Sequence, residues 1–326
     1  MKGSAAAEAS PARHLLLGGG GFIGRHMALL LSQLGHHVTI ASRHSILDNF
    51  SLDGTNNITW KQLELGAADW DSLIDGMDII HHYAWGSIPA SANANPRGDL
   101  LTNVTATIDL LDALRRRKSG RLLFASSGGT VYGKTQDYPV PETHILAPIT
   151  AYGAGKVTAE VYLNLYRATY GVDCRIARIA NPFGAGQDLS KGLGAVTTFI
   201  HRALTGQRIT LWGDGEVIRD YIHISDAVRA LAMLSLAPLP LAESTFNIGS
   251  GRGTSLNQIL EEIETQLGRR IDVERTPGRT FDVPINVLSI ARAQSILGWS
   301  PALSFSHGMA MTFEDLRRGA AFSTLQ

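Results

Sequence analysis

The stretch LLLGGGGFIGRH, from Leu15 to His26, places four consecutive glycines between a run of leucines and a second apolar segment. The leucines predict a buried strand, and FIGRHMALLLSQLG has the spacing of an amphipathic helix that stops at Gly35. Gly18, Gly21 and Gly24 are spaced G-x-x-G-x-x-G. Between a strand and a helix, such glycines let the backbone approach a diphosphate, which free N–H groups of the helix bind. The stretch predicts a dinucleotide-binding loop rather than an ordinary tight turn.

The pattern around this loop predicts an α/β fold. Strand-like runs alternate with helical segments as far as VDCRIARI, which ends near residue 180. This alternation indicates a Rossmann-type, doubly wound parallel sheet with helices on both faces. Beyond it, glycine and proline become frequent. We expect a disordered tail at 1–12, a dinucleotide-binding domain at 13–180, and a smaller C-terminal α/β substrate lobe at 181–326 with segments that return to the first domain.

Composition excludes several classes of function. Lys+Arg and Asp+Glu both count 29 in 326 residues, so net charge attracts neither nucleic acid nor an anionic membrane. The single cysteine, Cys174, allows no internal disulfide and no thiolate metal cluster. The chain has no apolar run of about 18 residues, and its first residues lack the apolar region of a secretory leader, so we expect neither a membrane span nor a leader. We expect a cytoplasmic protein without a metal.

The segment TAYGAGK carries the chemistry. Tyr152 and Lys156 stand four residues apart at the start of a long helix and therefore share one face. An ammonium near a phenol favours the phenolate, which makes Tyr152 a general acid or base near neutral pH. Upstream, RLLFASS ends a strand with Ser126 and Ser127. Either hydroxyl could bind the substrate oxygen, and the alternative for both is a cap on a glycine-rich turn.

The end of the second strand bears on the choice of cofactor. NAD-binding sites often carry an acidic residue there, which binds the adenosine ribose. This chain has Ser42 and Arg43 instead. A guanidinium pairs well with phosphate oxygens, so the pair favours NADP over NAD, although Arg43 could equally be a solvated loop residue.

With these motifs the chain resembles a known family. Five segments carry this resemblance: GGGGFIG, SSGGTVYG, YGAGK, NPFGAGQ and WGDGEVIRDYIHISD. The chain resembles the extended short-chain dehydrogenase/reductases, most closely the branch of UDP-glucose 4-epimerases and related nucleotide-sugar enzymes. The resemblance runs from about residue 14 to residue 301 and is more specific for the family than for a substrate.

The resemblance implies roles by position. Tyr152 would be the acid/base, Lys156 would bind the nicotinamide ribose, and Ser127 would be the second hydroxyl. One extra glycine before Val131 keeps Ser126 as its rival. Cofactor contacts would come from Gly18, Gly21, Phe22, Ile23, Gly24, Ser42, Arg43, Ala84, Asn103, Tyr152 and Lys156. Substrate contacts would come from Ser127, Asn181, Arg219, Arg279, Asp282 and Asn286.

Departures from the family pattern narrow the activity. Dehydratases of the family carry an Asp-Glu pair where this chain has Gly128 and Gly129, which argues against 4,6-dehydration. Gly66 replaces an aspartate near the adenine, which leaves the adenine contacts open. Asn286 replaces a bulky aromatic beside the sugar, so an N-acetylated sugar is expected to fit.

Three functions compete, and the motifs of the substrate lobe match the first of them, the epimerase, most closely. A UDP-hexose 4-epimerase would use Tyr152 and a bound NAD(P) to pass through a 4-keto sugar. A nucleotide-sugar 4-ketoreductase would use the same residues once and consume NADPH. A non-catalytic NADP sensor on the same fold would not need Tyr152, Lys156 and Ser127 together. The resemblance also implies a homodimer through a four-helix bundle of the helices at 100–117 and 156–170.

Overall fold

The structure is a computed structural model that describes residues 11–44, 57–189, 194–277 and 283–323. Of the tail predicted for residues 1–12, only Pro11 and Ala12 are described. The strands are β1 Arg13–Leu17, β2 His37–Ser42, β3 Ile58–Gln62, β4 Ile79–His82, β5 Arg121–Ser127, β6 Asp173–Ile179, β7 Asn181–Phe183, β8 Ile209–Trp212, β9 Ile218–His223, β10 Thr245–Ile248, β11 Gly253–Ser255, β12 Val273–Thr276 and β13 Ile285–Asn286. The α-helices are α1 Phe22–Gln33, α2 Trp70–Ile74, α3 Pro89–Ala94, α4 Pro96–Asp99, α5 Thr105–Arg117, α6 Ala151–Tyr170, α7 Ala195–Leu204, α8 Ile224–Leu236, α9 Leu256–Leu267, α10 Ala291–Leu297 and α11 Phe305–Ser323.

The central element is a sheet of seven parallel strands in the order β10-β6-β5-β4-β1-β2-β3. The strand order reverses between β1 and β4. In open α/β sheets this reversal marks the crevice, outside the carboxyl ends of the strands, in which ligands bind. The predicted Rossmann-type doubly wound sheet is confirmed.

Helices cover both faces of this sheet because successive side chains of a strand point to opposite sides. Leu16 belongs to a buried cluster with Met27 of α1 and Leu231 of α8. Its neighbour Leu15 belongs to a second cluster with Leu110 of α5 and Leu163 of α6. Both leucines are fully buried.

The helix that carries the predicted Tyr-Lys pair has clear signals at both ends. The Thr150 side chain accepts a hydrogen bond from the Gly153 N–H (3.1 Å) and caps the start of α6. The helix ends at Gly171 in the left-handed region, with φ 70°. The single helix predicted at 100–117 instead begins with one π turn, Leu100–Val104, before α5.

The second lobe is built from short sheets around their own core. β9 pairs with β7, β11 and β13, and β8 pairs with β12. A third buried cluster includes Phe183, Ile200, Leu211 and Ile259. α8, β10 and α10, which follow in the chain, pack with the central sheet. None of the helices in the described ranges has the length and apolarity to cross a membrane.

Candidate active site

The glycine loop lies at the crevice between β1 and β4 and is closely packed. Gly18 has φ +76°, and a Cβ there would lie 2.7 Å from the Ala84 backbone nitrogen. A Cβ on Gly24 would lie 2.5 Å from the Gly19 Cα. Both positions therefore require glycine: one brings the loop onto the end of β4, and the other brings α1 onto the loop.

The first turn of α1 suits a diphosphate. Gly21 is its N-cap, and no side chain caps this turn among the described residues. The N–H groups of Phe22, Ile23 and Gly24 in a first turn have no partner within their own helix. Such groups, with the positive end of the helix dipole, bind phosphate oxygens. The residues present thus fit the pyrophosphate of NAD(P).

The predicted cofactor-discriminating pair ends β2. The Ser42 hydroxyl donates to the His44 carbonyl (2.8 Å) and accepts from the Trp60 indole N–H (3.0 Å). Arg43 is exposed. The Ser42 hydroxyl is therefore already hydrogen-bonded within the protein, whereas the Arg43 side chain extends into solvent.

Tyr152 and Lys156 lie on one face of α6, as their spacing predicts. Lys156 is 3% exposed, its Nζ donates to the Ala125 carbonyl (2.7 Å), and it lies 5.8 Å from the centre of the Tyr152 ring. Burial lowers the pKa of Lys156 to about 7, against the opposing influence of Glu160 and Asp99.

The expectation that Lys156 lowers the pKa of Tyr152 is wrong for the protein alone. Burial, with the nearby Asp99 carboxylate, raises the pKa of Tyr152 to about 12. The lysine offsets little of this, because it is itself desolvated and has its hydrogen bond on the Ala125 carbonyl. The phenol is accordingly protonated at neutral pH until another positive charge enters the site.

The two candidate serines of β5 face opposite ways. Ser126 is buried, and its hydroxyl donates to Glu160, which is paired with Arg178 (2.7 Å). Ser127 is half-buried, and a Cβ on Gly129 would lie 4.0 Å from its Oγ and 3.9 Å from the Asn181 Oδ1. Ser127 and Asn181 thus face one small space beside Gly129, and Ser126 faces the protein interior.

Asn103, which is predicted to contact the cofactor, has hydrogen bonds to the loop after β4 and to Asp99. It is 1% exposed, and its Nδ2 donates to the carboxylate of Asp99 (2.9 Å) and to the Asp99 carbonyl (3.0 Å). Its Oδ1 accepts from the Gly86 N–H (2.7 Å). Both ends of the amide are therefore used to hold the loop after β4, and Asn103 acts on the crevice through that loop.

Asn286 lies against the loop after β5. It is 1% exposed, and its Nδ2 donates to the Gly128 carbonyl (3.2 Å). Asn286 therefore contacts the site through Gly128, and the fit of an N-acetylated or otherwise substituted sugar stays a prediction.

The remaining predicted substrate residues belong to the second lobe. Asn181 Nδ2 donates to the Asp220 carbonyl (2.9 Å), which ties β7 to β9. Arg219 of β9 is half-buried and donates to the Ile218 carbonyl (2.9 Å). Arg279 and Asp282 lie outside the described residues.

Two residues that sequence reasoning missed lie against the Tyr-Lys pair. Asp99 is buried four residues before Asn103, and this i,i+4 spacing was a usable signal. Trp85 follows Ala84, and its ring centre lies 6.2 Å from that of Tyr152. The sequence alone does not indicate that a tryptophan directly after a strand packs against the Tyr152 ring.

The fold and site together define the class of protein. A glycine loop opening a helix, and a tyrosine and lysine at the carboxyl edge of the same parallel sheet, are the features of an NAD(P)-dependent α/β enzyme. The model of the NAD dependent epimerase/dehydratase family matches residues 14–249. The chain belongs to this family, as the extended short-chain dehydrogenase/reductase motifs predict.

Similar proteins extend over nearly the whole chain. A UDP-glucose 4-epimerase of Mycolicibacterium smegmatis is 31% identical and covers 94% of this chain and 98% of its own. The structure of a Thermotoga maritima UDP-glucose 4-epimerase with UDP-glucose has a TM-score of 0.88 at 30% identity, over 94% of this chain and 99% of that one. A Thermus thermophilus UDP-glucose 4-epimerase in complex with NAD has a TM-score of 0.85 at 26% identity, with the same coverage.

Proposed function

We propose that the protein is a nucleotide-sugar 4-epimerase that acts on a UDP-hexose with NAD(P). The observation that carries this proposal is the position of Tyr152 and Lys156 against the end of β5, where Lys156 donates to the Ala125 carbonyl two residues before Ser127, at the same sheet edge as the glycine loop. Two proteins that align over 94% of this chain, one of Mycolicibacterium smegmatis and one of Thermotoga maritima, are UDP-glucose 4-epimerases.

Each residue of the site has a proposed part. The Tyr152 phenol holds the proton that moves to and from the sugar 4-hydroxyl, and the Ser127 hydroxyl hydrogen-bonds the same oxygen. Lys156 binds the ribose of the cofactor and supplies positive charge. The glycine loop and Lys156 would hold NAD(P), which would supply a reversible hydride acceptor for C4 of the sugar. Inversion at C4 requires the 4-keto sugar to present its opposite face before the hydride is restored.

The second lobe supplies the proposed nucleotide site. We assign Asn181 to the sugar, and Arg219, Arg279 and Asp282 to the diphosphate and ribose of the UDP moiety, on the strength of the motifs that they occupy. Arg219 lies on β9, and β9 pairs with β7, which carries Asn181. The boundary near residue 180 between a cofactor domain and this lobe belongs to the same proposal.

The alternative is an NADPH-dependent 4-ketoreductase, which the residues at the end of β2 favour. Arg43 is exposed there in place of an acidic residue, and its guanidinium suits a 2′-phosphate, so NADP is the finer cofactor proposal. Replacement by Arg43→Ala is expected to weaken NADP binding more than NAD binding. Equal loss for both nucleotides would remove the argument for NADP and for the reductase.

A homodimer is part of the proposal. The segment predicted as a helix at 100–117 has apolar side chains in two environments: Val104 and Leu111 are buried, whereas Leu101 is 50% exposed. On α6, Val161 and Leu165 are 59% and 47% exposed and stand four residues apart. We expect a dimer by light scattering after size exclusion, and a monomer for the Val161→Glu/Leu165→Glu variant. A wild-type monomer at micromolar concentration would contradict this part.

The deciding experiment has two parts. The nucleotide bound to the purified protein is first extracted from one sample and identified. A second, untreated sample is then incubated with UDP-glucose and with UDP-N-acetylglucosamine, without added cofactor. A retained nucleotide and the 4-epimer of either sugar support the epimerase. An empty site, no epimer, and oxidation of added NADPH only with a 4-keto sugar would establish the reductase instead.

A further inference from the structure

The ammonium group of Lys156 lies in an aromatic environment. Its Nζ is 3.8 Å from the centre of the Trp85 ring and 4.7 Å from that of Phe124. On its remaining side it donates to the Ala125 carbonyl at 2.7 Å. A buried cation this close to an indole face is attracted by the ring quadrupole more strongly than an exposed one.

Trp85 is held in this position by its neighbours. Its ring packs edge-to-face against Phe124 (6.0 Å) and Tyr152 (6.2 Å). Gly155 provides the space for it: a Cβ there would lie 3.2 Å from the Trp85 Cζ2 and 2.9 Å from the Asp99 Oδ2. The glycine between Tyr152 and Lys156 thus lets the indole reach the lysine.

The charged and titratable groups around Lys156 come from three elements. Asp99 of α4 and Glu160 of α6 favour its protonated form, and His82 of β4 and Tyr152 of α6 also face it. Both carboxylates are committed elsewhere. Asp99 accepts from Asn103 and Ser87, and Glu160 accepts from two nitrogens of Arg178 and from the Ser126 hydroxyl.

We propose that Trp85 is a positioning residue of the reaction, which binds the ammonium group of Lys156 on its indole face and keeps it charged and aligned beside Tyr152. The proposal rests on the function proposed above for Tyr152 and Lys156. The indole adds favourable electrostatics where the carboxylates are already engaged, and it restricts a long side chain to one position.

The first test changes the indole without changing its shape. The chain contains five tryptophans and six lysines, so biosynthetic fluorotryptophan and [13C]lysine labels give simple spectra. Fluorination weakens the negative face of the ring stepwise. The Lys156 signal, assigned by its loss in Lys156→Arg, is expected to titrate at a lower pH with each added fluorine, by about one unit in total. An unchanged Lys156 titration across the series would overturn the proposal.

The second test is kinetic and uses three variants. Trp85→Leu removes the ring face and is expected to lower kcat about tenfold with little change in KM, whereas Trp85→Phe keeps a face and restores most of the rate. Trp70→Leu, at a buried tryptophan of α2, is the control: it lowers the melting temperature without moving the Lys156 signal. Equal rates for the leucine and phenylalanine variants would contradict a role for the ring face.

The two tests separate this proposal from the proposed function. The lysine titration needs no sugar and remains readable if no epimer is ever found. If the Lys156 titration shifts with fluorination as expected in a protein without epimerase activity, the role of Trp85 is supported and the proposed function is rejected.

Discussion

At the scale of the residue, the pleat of β5 separates two adjacent serines. Ser126 turns toward the buried Glu160–Arg178 pair and Ser127 toward the space beside Gly129. The sequence could not separate them, since both are strand-end serines and the extra glycine leaves the register open. The pKa of Tyr152 was equally out of reach, because it depends on Asp99 and on burial.

The two serines are expected to fail in different ways when replaced. Ser127→Ala removes a hydrogen bond to the reacting oxygen and should lower kcat about 100-fold while leaving the melting temperature unchanged. Ser126→Ala leaves the buried Glu160 with one donor fewer and should cost about 1–3 kcal/mol of unfolding free energy. Steady-state kinetics and urea unfolding of both variants check this. A larger kcat loss for Ser126→Ala would reverse the assignment.

At the scale of the element, the strand–loop–helix unit and the long helix α6 could be predicted, because their patterns are local. Gly24, Thr150 and Gly171 stand where helix packing, N-capping and C-capping require them. Elements set by distant contacts were missed. The π turn before α5 has no sequence pattern, and β10 is a short strand whose place depends on β6.

Two glycines with the same backbone conformation give a matched test of the loop. Gly18 and Gly35 have φ +76° and +85°, but only Gly18 has neighbours that a Cβ would strike. Gly35→Ala should cost about 1 kcal/mol of stability, from the positive φ alone. Gly18→Ala should in addition abolish nucleotide binding, because the loop must leave the end of β4. Titration with NAD and NADP, with unfolding curves, checks both. Normal binding by Gly18→Ala would contradict the close approach.

The ion pair behind β5 also belongs to this scale, because it joins α6 to β6. Glu160 and Arg178 are almost fully buried, and three donors converge on the carboxylate. Glu160→Gln should cost about 3–5 kcal/mol, since it leaves a buried arginine uncompensated. Asp272→Asn, in the exposed Arg208–Asp272 pair, should cost less than about 1 kcal/mol. Urea unfolding of both variants distinguishes them, and equal costs would show that the buried pair adds no more than a surface one.

At the scale of the whole molecule, histidines lie in the centre of the sheet. His14 Nδ1 and His81 Nε2 are 2.9 Å apart across β1 and β4, and His81 Nδ1 is 2.9 Å from the Tyr83 hydroxyl. Burial lowers the pKa of His14 from 6.5 to about 4 and that of His81 well below 6.5. Such a pair shares one hydrogen bond only while at least one ring is neutral.

We expect this pair to make the fold less stable in acid. Because both pKa values are lower in the fold than in the unfolded chain, the unfolded chain binds more protons below pH 6.5. The free energy of unfolding should therefore fall as the pH decreases from about 6.5 towards 4. Urea midpoints at pH 7.5, 6 and 5 measure the fall, and His14→Gln should reduce it. A constant midpoint over this range would contradict the burial of neutral rings.

The position of β10 has a consequence for how the chain can be divided. The seventh strand of the cofactor sheet comes from residues 245–248, beyond most of the second lobe, and it lies beside β6. In a fragment that stops near residue 180, β6 would be an edge strand whose backbone N–H and C=O groups are unpaired on one side. Such an edge can pair with another molecule and cause aggregation. The part of the chain before residue 180 therefore depends on β10, from the part after it, to complete its sheet. Limited proteolysis within the lobe should leave fragments that stay associated and aggregate when they are parted.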